Sequence, residues 1–182
     1  MRVAGSRLSI SARGLTLAFA LVLGHVPAAA ASTEAQVKAA YLYKFASFVR
    51  WPENATRRST FRLCVAGRGD IVGALRELVR GQQIEGRPVE VQSVSARQSD
   101  RAAGCNVLFF GRGAQTARGL SSATDRYPLL TVGDRNSGTG GGVIDFTVRD
   151  GKVRFVVDQD LARKRGLELS SKLLDVALAV DR

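Results

Sequence analysis

The chain has 182 residues, of which 45% are hydrophobic and 24% charged, and this ordinary globular composition excludes wholesale disorder. The length suits a single domain with a buried core of its own. A formal net charge of +11 would indicate nucleic acid or an anionic membrane as partner in the cytosol, so the cellular compartment decides how the charge is interpreted.

The N-terminal segment has the layout of a secretory signal peptide. Three arginines and no acidic residue precede an apolar run over residues 15–23, and small residues lead up to Ala31. The run is about half the roughly 20 residues that a membrane-spanning helix needs, so an uncleaved anchor is the weaker alternative. We expect a signal peptide over residues 1–31, cleavage near Ala31, and one exported domain over residues 32–182 in a bacterial periplasm.

Removal of that segment narrows the chemistry available to the mature chain. The only histidine, His25, lies within the predicted leader. A chain without histidine builds no Ser-His-Asp triad, no Cys-His dyad and no His-ligated metal site. We therefore expect a protein that is not an enzyme and that has no metal site and no cofactor. Export also makes nucleic acid an implausible partner.

The mature chain is predicted to open with a helix and then a strand. Apolar residues recur at spacings of three and four, which predicts an amphipathic helix over residues 33–51 that stops at Pro52. A strand is predicted over residues 61–66. A second helix is predicted over residues 71–79, with Asp70 as its N-cap.

The middle of the chain is predicted to supply further strands of one sheet. Residues 88–94 alternate apolar and polar side chains, whereas residues 105–110 are a short apolar run bounded by glycine, typical of a strand buried on both faces. A weak helix over residues 114–123 and a strand over residues 128–132 follow.

An antiparallel hairpin is predicted near the C-terminus. Asp150-Gly151 separates two alternating runs over residues 142–148 and 152–157, which is a strong hairpin signal. The preceding alternation of strands and helices favours a parallel sheet. The predicted fold class is α/β, a single-domain three-layer α/β sandwich with a mostly parallel sheet and this hairpin appended.

The last segment is predicted to be helical over residues 161–180. We expect a break near Gly166 and a new N-cap at Ser170. Asp158 and Asp160 resemble an acid pair, but the helix that follows makes capping the better explanation.

The two cysteines allow two interpretations. Cys64 lies on the first predicted strand and Cys105 opens the third, and these strands are neighbours in the common flavodoxin-like order, so an oxidising compartment favours a disulfide. Anchoring the same strands at Gly67 and Gly111 leaves the cysteines about three residues out of register, which favours two buried thiols instead.

A repeated Gly-Arg-Gly tripeptide suggests an anion site. Arg68 and Arg112 each follow a predicted strand, and ligands of open α/β sheets bind beyond the carboxyl ends of the strands. The two arginines would then converge on one small anionic ligand. The alternative is a pair of tight turns without a ligand.

Partner contact would use the solvent side of the first helix. Most of its aromatic residues are expected in the core, Phe45 above all. The residues of this segment expected to reach solvent and contact a partner are Tyr43, Lys44, Arg50 and Trp51. Arg163 belongs to a basic run over residues 163–165, interpreted as a solvated helix end that would steer the protein toward an acidic partner or the membrane.

Motifs along nearly the whole mature chain are shared with one family. The run YLYKFASFVRWP follows the leader at residues 41–52. Further matching segments occupy residues 61–67, 104–110, 130–134, 142–146, 153–155 and 166–174. In this order the segments resemble the YfiR family of exported regulators.

That resemblance implies a periplasmic repressor that binds the periplasmic region of an inner-membrane diguanylate cyclase and thereby lowers cyclic-di-GMP and biofilm formation. It also implies release by an outer-membrane lipoprotein and the ability to form a homodimer. Some relatives carry two cysteine pairs, whereas this chain has only Cys64 and Cys105, aligned with one of them. A redox mechanism that needs the other pair is not transferable. The alternative function is a periplasmic binding protein for a small anionic molecule that feeds a sensor or transporter.

Overall fold

The computed structural model describes residues 28–94, 102, 104–114 and 127–181. The described α-helices are α1 Ala28–Ser47, α2 Glu53–Thr56, α3 Ile71–Leu78, α4 Gln159–Lys164 and α5 Ser171–Asp175, and a 3-10 helix covers Arg135–Ser137. The ten described strands are β1 Val49–Arg50, β2 Phe61–Ala66, β3 Gln83–Ile84, β4 Arg87–Val94, β5 Val107–Phe110, β6 Leu130–Asp134, β7 Ile144–Arg149, β8 Lys152–Asp158, β9 Glu168–Leu169 and β10 Ala179–Asp181. Most of the predicted leader, and the helix predicted over 114–123 beyond Ala114, lie outside the described residues.

Eight of these strands form one sheet in the order β10-β8-β7-β6-β5-β2-β4-β3. Neighbours from β4 to β7 run parallel, and β7 and β8 form the antiparallel pair. The predicted α/β fold with a mostly parallel sheet and a hairpin near the C-terminus is confirmed. The turn between β7 and β8 places Asp150 at φ 52° and Gly151 at φ 68°, the left-handed pair that a two-residue hairpin loop requires.

The central strands bury side chains on both faces of the sheet. In β2, Leu63 and Val65 belong to the larger apolar cluster, whereas Cys64 and Ala66 belong to the smaller one on the opposite face. The larger cluster is covered by α1, whose Phe45 ring lies 5.7 Å from Phe146 and 4.8 Å from Phe155 between centroids. Burial on both faces explains why these strands are almost wholly apolar.

The first helix ends earlier than the apolar spacing predicts. After Ser47 the chain extends into β1, which pairs antiparallel with β9 in a separate two-stranded sheet. Trp51 is therefore not on the helix, and the expectation that it reaches solvent is wrong. Its side chain is 6% exposed, its indole N–H donates to the Ala46 carbonyl, and its ring meets Phe61 edge-on at 5.5 Å.

The C-terminal segment contains two short helices and an extra strand. Asp158 caps α4 by accepting from the Leu161 amide at 2.8 Å, Gly166 has a φ of 69°, and the Ser170 side chain caps α5. These three predictions are confirmed. The predicted helix over 161–180 is wrong beyond α5, because Ala179–Asp181 instead pairs in parallel with the edge of β8.

Two further expectations are corrected by side-chain contacts. Asp70 occupies the N-cap position of α3, but its side chain makes no cap hydrogen bond. Arg165, expected in a solvated basic turn, is buried and donates to the Thr131 hydroxyl at 2.8 Å and to the Leu129 carbonyl at 3.3 Å. Polar partners on and beside β6 thus place Arg165 in the interior, although it belongs to a basic run.

Candidate functional site

A cleft of about 400 Å³ lies at the carboxyl ends of β2, β5 and β6. This is the end of a parallel sheet where loops converge and ligands commonly bind. Its lining includes Arg68, Arg112, Lys38, Asp134, Phe109 and Ile71. The structure thus brings together the two arginines that the sequence singled out.

The backbone holds the two Gly-Arg-Gly loops against each other. The Arg68 amide donates to the Arg112 carbonyl at 2.9 Å, which forms an isolated antiparallel bridge. Gly67 has a φ of +100°, and a Cβ there would lie 2.7 Å from the Gly111 carbonyl oxygen. The close approach of the loops therefore depends on glycine at position 67.

The lining of the cleft also contains a buried ion pair. Lys38 on α1 donates to Asp134 at 2.7 Å and to Glu34 at 2.5 Å, and its side chain is only 7% exposed. Asp134 also accepts from the Asn136 amide and the Ser137 hydroxyl, which orders the turn after β6. Two carboxylates thus face one ammonium, and this cluster carries a formal net charge of −1.

Sequence reasoning missed Lys38, although the helix pattern carried a signal for it. Lys38, Leu42 and Phe45 are spaced by four and three and share the buried face of α1. A lysine on an apolar face requires a buried acidic partner. The identity of that partner, on a strand 96 residues away, has no local signal.

The two cysteines form a disulfide, so the buried-thiol interpretation is wrong. Their Cα atoms lie 5.9 Å apart. The register offset is nevertheless real, because Cys64 pairs with Leu108 across the sheet. Cys105 reaches its partner because it precedes β5, in a turn where its amide donates to the Ala102 carbonyl. That turn lies on the side of the sheet to which Cys64 points.

A second concave surface, here called the β1–β9 groove, lies where α1 ends. It encloses about 350 Å³ and is lined by residues 47–50, Glu85 and residues 168–170. Phe48 is 36% exposed there, and Arg50 forms an ion pair with Glu168 at 2.9 Å. Arg50 is thus exposed as expected.

The other residues expected to contact a partner are distributed unevenly. Lys44 is exposed in the last turn of α1, and the half-buried Tyr43 places its hydroxyl 3.3 Å from the Gln83 carbonyl of β3. Arg163 is exposed on α4 and pairs with Asp160. Tyr43 and Lys44 belong to the same α1 segment as the groove, whereas no described contact joins Arg163 to it.

The described part of the chain has neither a membrane-spanning helix nor a metal cluster. No helix there is long and apolar enough to cross a bilayer. No group of three or more His, Cys, Asp or Glu side chains is arranged to hold a metal ion among those residues.

The architecture is that of an α/β domain whose loops and grooves offer binding surfaces. The family model described as YfiR/HmsC-like (DUF4154) matches residues 35–178. The chain belongs to this family, which confirms the resemblance of its motifs. No curated protein shows significant sequence similarity to the chain.

Family membership gives the general role. The protein is a periplasmic regulator of cyclic-di-GMP signalling, and members of this family generally interact with the periplasmic domain of a diguanylate cyclase. The family is regulatory and is not known for an enzymatic activity.

Proposed function

We propose that this protein binds the periplasmic domain of an inner-membrane diguanylate cyclase and represses it, so that cyclic-di-GMP and biofilm formation fall. The family relationship supports the class of partner. The proposal includes cleavage of the leader near Ala31, which would release the domain over residues 32–182 into the periplasm.

The observation that carries the proposal is the β1–β9 groove. Phe48 offers an exposed aromatic ring beside a concave surface, and buried aromatic anchors dominate the energetics of protein interfaces. Tyr43 and Lys44 extend the same end of α1. We assign the partner contact to this surface rather than to Trp51, whose side chain is in the core.

The ion pair between Arg50 and Glu168 at the rim of the groove is suited to exchange of its carboxylate for one from a partner protein. The side chains of Arg50 and Glu168 are 82% and 71% exposed, so their attraction is screened by water and contributes little to folding. A partner carboxylate is able to replace Glu168 at small cost to the fold. Such complementary charges at a rim determine the rate and specificity of association more than affinity.

Repression requires that the protein bind one state of the cyclase better than the other. A regulator with equal affinity for the active and inactive arrangements of the periplasmic domain would shift neither. Binding at the β1–β9 groove would therefore select the inactive arrangement. Release would follow when an outer-membrane lipoprotein competes for the regulator, and a homodimer would present two copies of the groove.

The test compares Phe48→Ser with the matched control Leu78→Ser. Leu78, on α3, is 40% exposed against 36% for Phe48, so both changes remove an exposed apolar side chain. Tagged proteins expressed as the full chain in the native host are purified from the periplasm, and co-purifying membrane proteins are identified by mass spectrometry.

We expect a diguanylate cyclase to co-purify with wild type and with Leu78→Ser. It should not co-purify with Phe48→Ser, and cells that express Phe48→Ser should contain more cyclic-di-GMP. Circular dichroism and thermal melting show whether Phe48→Ser still folds. Recovery of equal cyclase by both variants would contradict the proposed surface. Absence of any cyclase with wild type would contradict the proposed function itself.

A further inference from the structure

The cleft at the carboxyl end of the sheet contains three cations in two different situations. Lys38 is paired with the carboxylates of Glu34 and Asp134, and these three groups together carry a formal net charge of −1. Arg68 and Arg112 make no ion pair with any carboxylate of the described residues. Two guanidinium groups thus remain available on one wall of the same cleft.

The position of both arginines is set by the backbone rather than by flexible loops. The bridge between the Arg68 amide and the Arg112 carbonyl fixes the two Cα atoms as direct neighbours. The Gly111 amide donates to the Ala66 carbonyl at 2.8 Å, which continues the β2–β5 pairing up to the bridge. The Arg68 guanidinium lies across the second loop, with Nη2 3.6 Å from the Cβ position at Gly113. Arginines anchored in this way lose less freedom on binding an anion than arginines on mobile loops.

The beginning of α3 adds donors to the same wall. Asp70 and Ile71 line the cleft, and the Asp70 side chain does not cap the helix. The first-turn amides of this eight-residue helix therefore lack a side-chain cap. Uncapped amides and the helix dipole favour an anion at the start of α3. The guanidinium groups of Arg68 and Arg112, in the same cleft, favour an anion independently.

The remaining lining limits what such an anion would be. Phe109 and Ile71 contribute apolar surface, and the cleft measures about 400 Å³, toward the small end of the range typical of small-molecule sites. We propose that the cleft of Arg68 and Arg112 binds a small organic anion, whose phosphate or carboxylate groups pair with both guanidinium groups. This inference concerns a small molecule and is independent of the protein partner proposed above.

Asp70 provides a further test of the cleft. Its carboxylate lines the cleft without an ion-pair partner among the described residues, so it repels the anion that the arginines attract. Removing that charge should strengthen binding, whereas removing either arginine should weaken it. Net charge alone would give effects of the same signs, so the separation of a site from general attraction to a basic protein depends on Arg76→Gln, which makes the same change of charge as the two cleft variants.

The experiment is isothermal titration calorimetry at constant ionic strength on protein expressed as the full chain and purified in its exported form. The probes are inorganic phosphate, phenyl phosphate and citrate, with chloride as the reference salt. The variants are Arg68→Gln, Arg112→Gln, their double variant and Asp70→Asn. Arg76→Gln, on the exposed side of α3, is the control with the same change of charge.

We expect at least one probe to bind wild type and Arg76→Gln with the same dissociation constant. Each cleft arginine removed should weaken binding about tenfold, which corresponds to about 1.4 kcal/mol. Asp70→Asn should tighten it. Preference for phenyl phosphate over inorganic phosphate would show use of the apolar floor, whereas preference for citrate would indicate a carboxylate ligand.

Three results would overturn the proposal. The first is that no probe binds wild type. The second is that Arg76→Gln weakens binding as much as Arg68→Gln, which would indicate attraction to net charge alone. The third is unchanged binding by the double variant with an unchanged melting temperature. If the double variant unfolds, the single variants still decide through the second result, because each makes the same change of charge as Arg76→Gln.

Discussion

Lys38 and Asp134 join the first helix to the end of the fourth parallel strand through a buried ion pair of 2.7 Å. Their side chains are 7% and 4% exposed, and the Lys38 ammonium also lies 5.9 Å from the centre of the Phe146 ring. The Asn136 amide donates to Oδ1 of the Asp134 carboxylate, and the Ser137 hydroxyl donates to Oδ2. The pair therefore fixes α1 over the sheet and contributes to the lining of the cleft that contains Arg68 and Arg112.

Replacing Lys38 by methionine should destabilise the protein by about 3–5 kcal/mol, because it leaves the buried Asp134 carboxylate without its countercharge. Arg50→Met removes a cation from an exposed pair and should cost less than about 1 kcal/mol. Urea denaturation followed by circular dichroism measures both. Equal costs for the two variants would show that the buried pair is unimportant for folding.

Gly67→Ala should be strongly destabilising, whereas Gly73→Ala should be neutral or stabilising. A Cβ at position 67 would meet the Gly111 and Arg112 carbonyl oxygens at 2.7 and 2.8 Å, on a residue whose φ is +100°. Position 73 lies within α3, and nothing stands within 4 Å of a Cβ there. We expect a loss of about 2 kcal/mol or more for Gly67→Ala and a gain of about 0.4–1 kcal/mol for Gly73→Ala.

Melting temperatures of the two glycine variants provide the comparison. The proposed cause at position 67 is separation of the bridged loops. Gly67→Ala should therefore also shift the amide resonances of Arg68 and Arg112 in NMR spectra, and Gly73→Ala should leave them in place. Unchanged resonances in a destabilised Gly67→Ala protein would contradict this cause.

Loss of the disulfide should lower stability by about 4 kcal/mol on the loop-entropy model, since the cysteines are 41 positions apart. The Cys64→Ser/Cys105→Ser variant is melted with and without reductant beside wild type. Reductant should lower the melting temperature of wild type toward that of the variant and should not affect the variant. Identical melting of the two proteins without reductant would contradict a stabilising role.

Alanine substitutions at Trp51 and Phe48 should distinguish a residue that stabilises the fold from one that is available to a partner. Trp51→Ala removes a buried side chain packed on Phe61 and should cost about 3–5 kcal/mol. Phe48→Ala should change stability by less than about 1 kcal/mol, because the ring is already partly in water. Urea denaturation gives both values. A large loss for Phe48→Ala would mean that the ring supports the fold and is not available to a partner.

Local signals were sufficient wherever neighbouring residues determine the conformation. The Asp150-Gly151 turn, the strand over residues 61–66 and the Ser170 cap are all as predicted. Each depends on a φ preference, an apolar period or a side chain that reaches its own backbone. The same logic found the family motifs and placed Arg68 and Arg112 after adjacent strands.

Errors occurred where a distant segment competes with the local pattern. The helical spacing continues to Trp51, but β9 pairs with Val49–Arg50 and ends the helix at Ser47. The helix predicted over 161–180 gives way to β10, because the edge of β8 offers backbone partners there. Arg165 was predicted to be solvated because it follows Lys164 in a basic run. In the structure it is buried, and its guanidinium donates to the Thr131 hydroxyl.

The amino-acid sequence by itself determined the α/β class, the approximate positions of β2 and β4 to β8, the hairpin turn and the family, because these depend on residue order and short-range physics. Tertiary structure alone decided three features. These are whether Cys64 and Cys105 form a disulfide, which buried carboxylate pairs with Lys38, and which aromatic residue near the end of α1 is exposed. Each of these depends on contacts between segments far apart in the chain. Such contacts are formed only when the sheet assembles, so no local pattern encodes them.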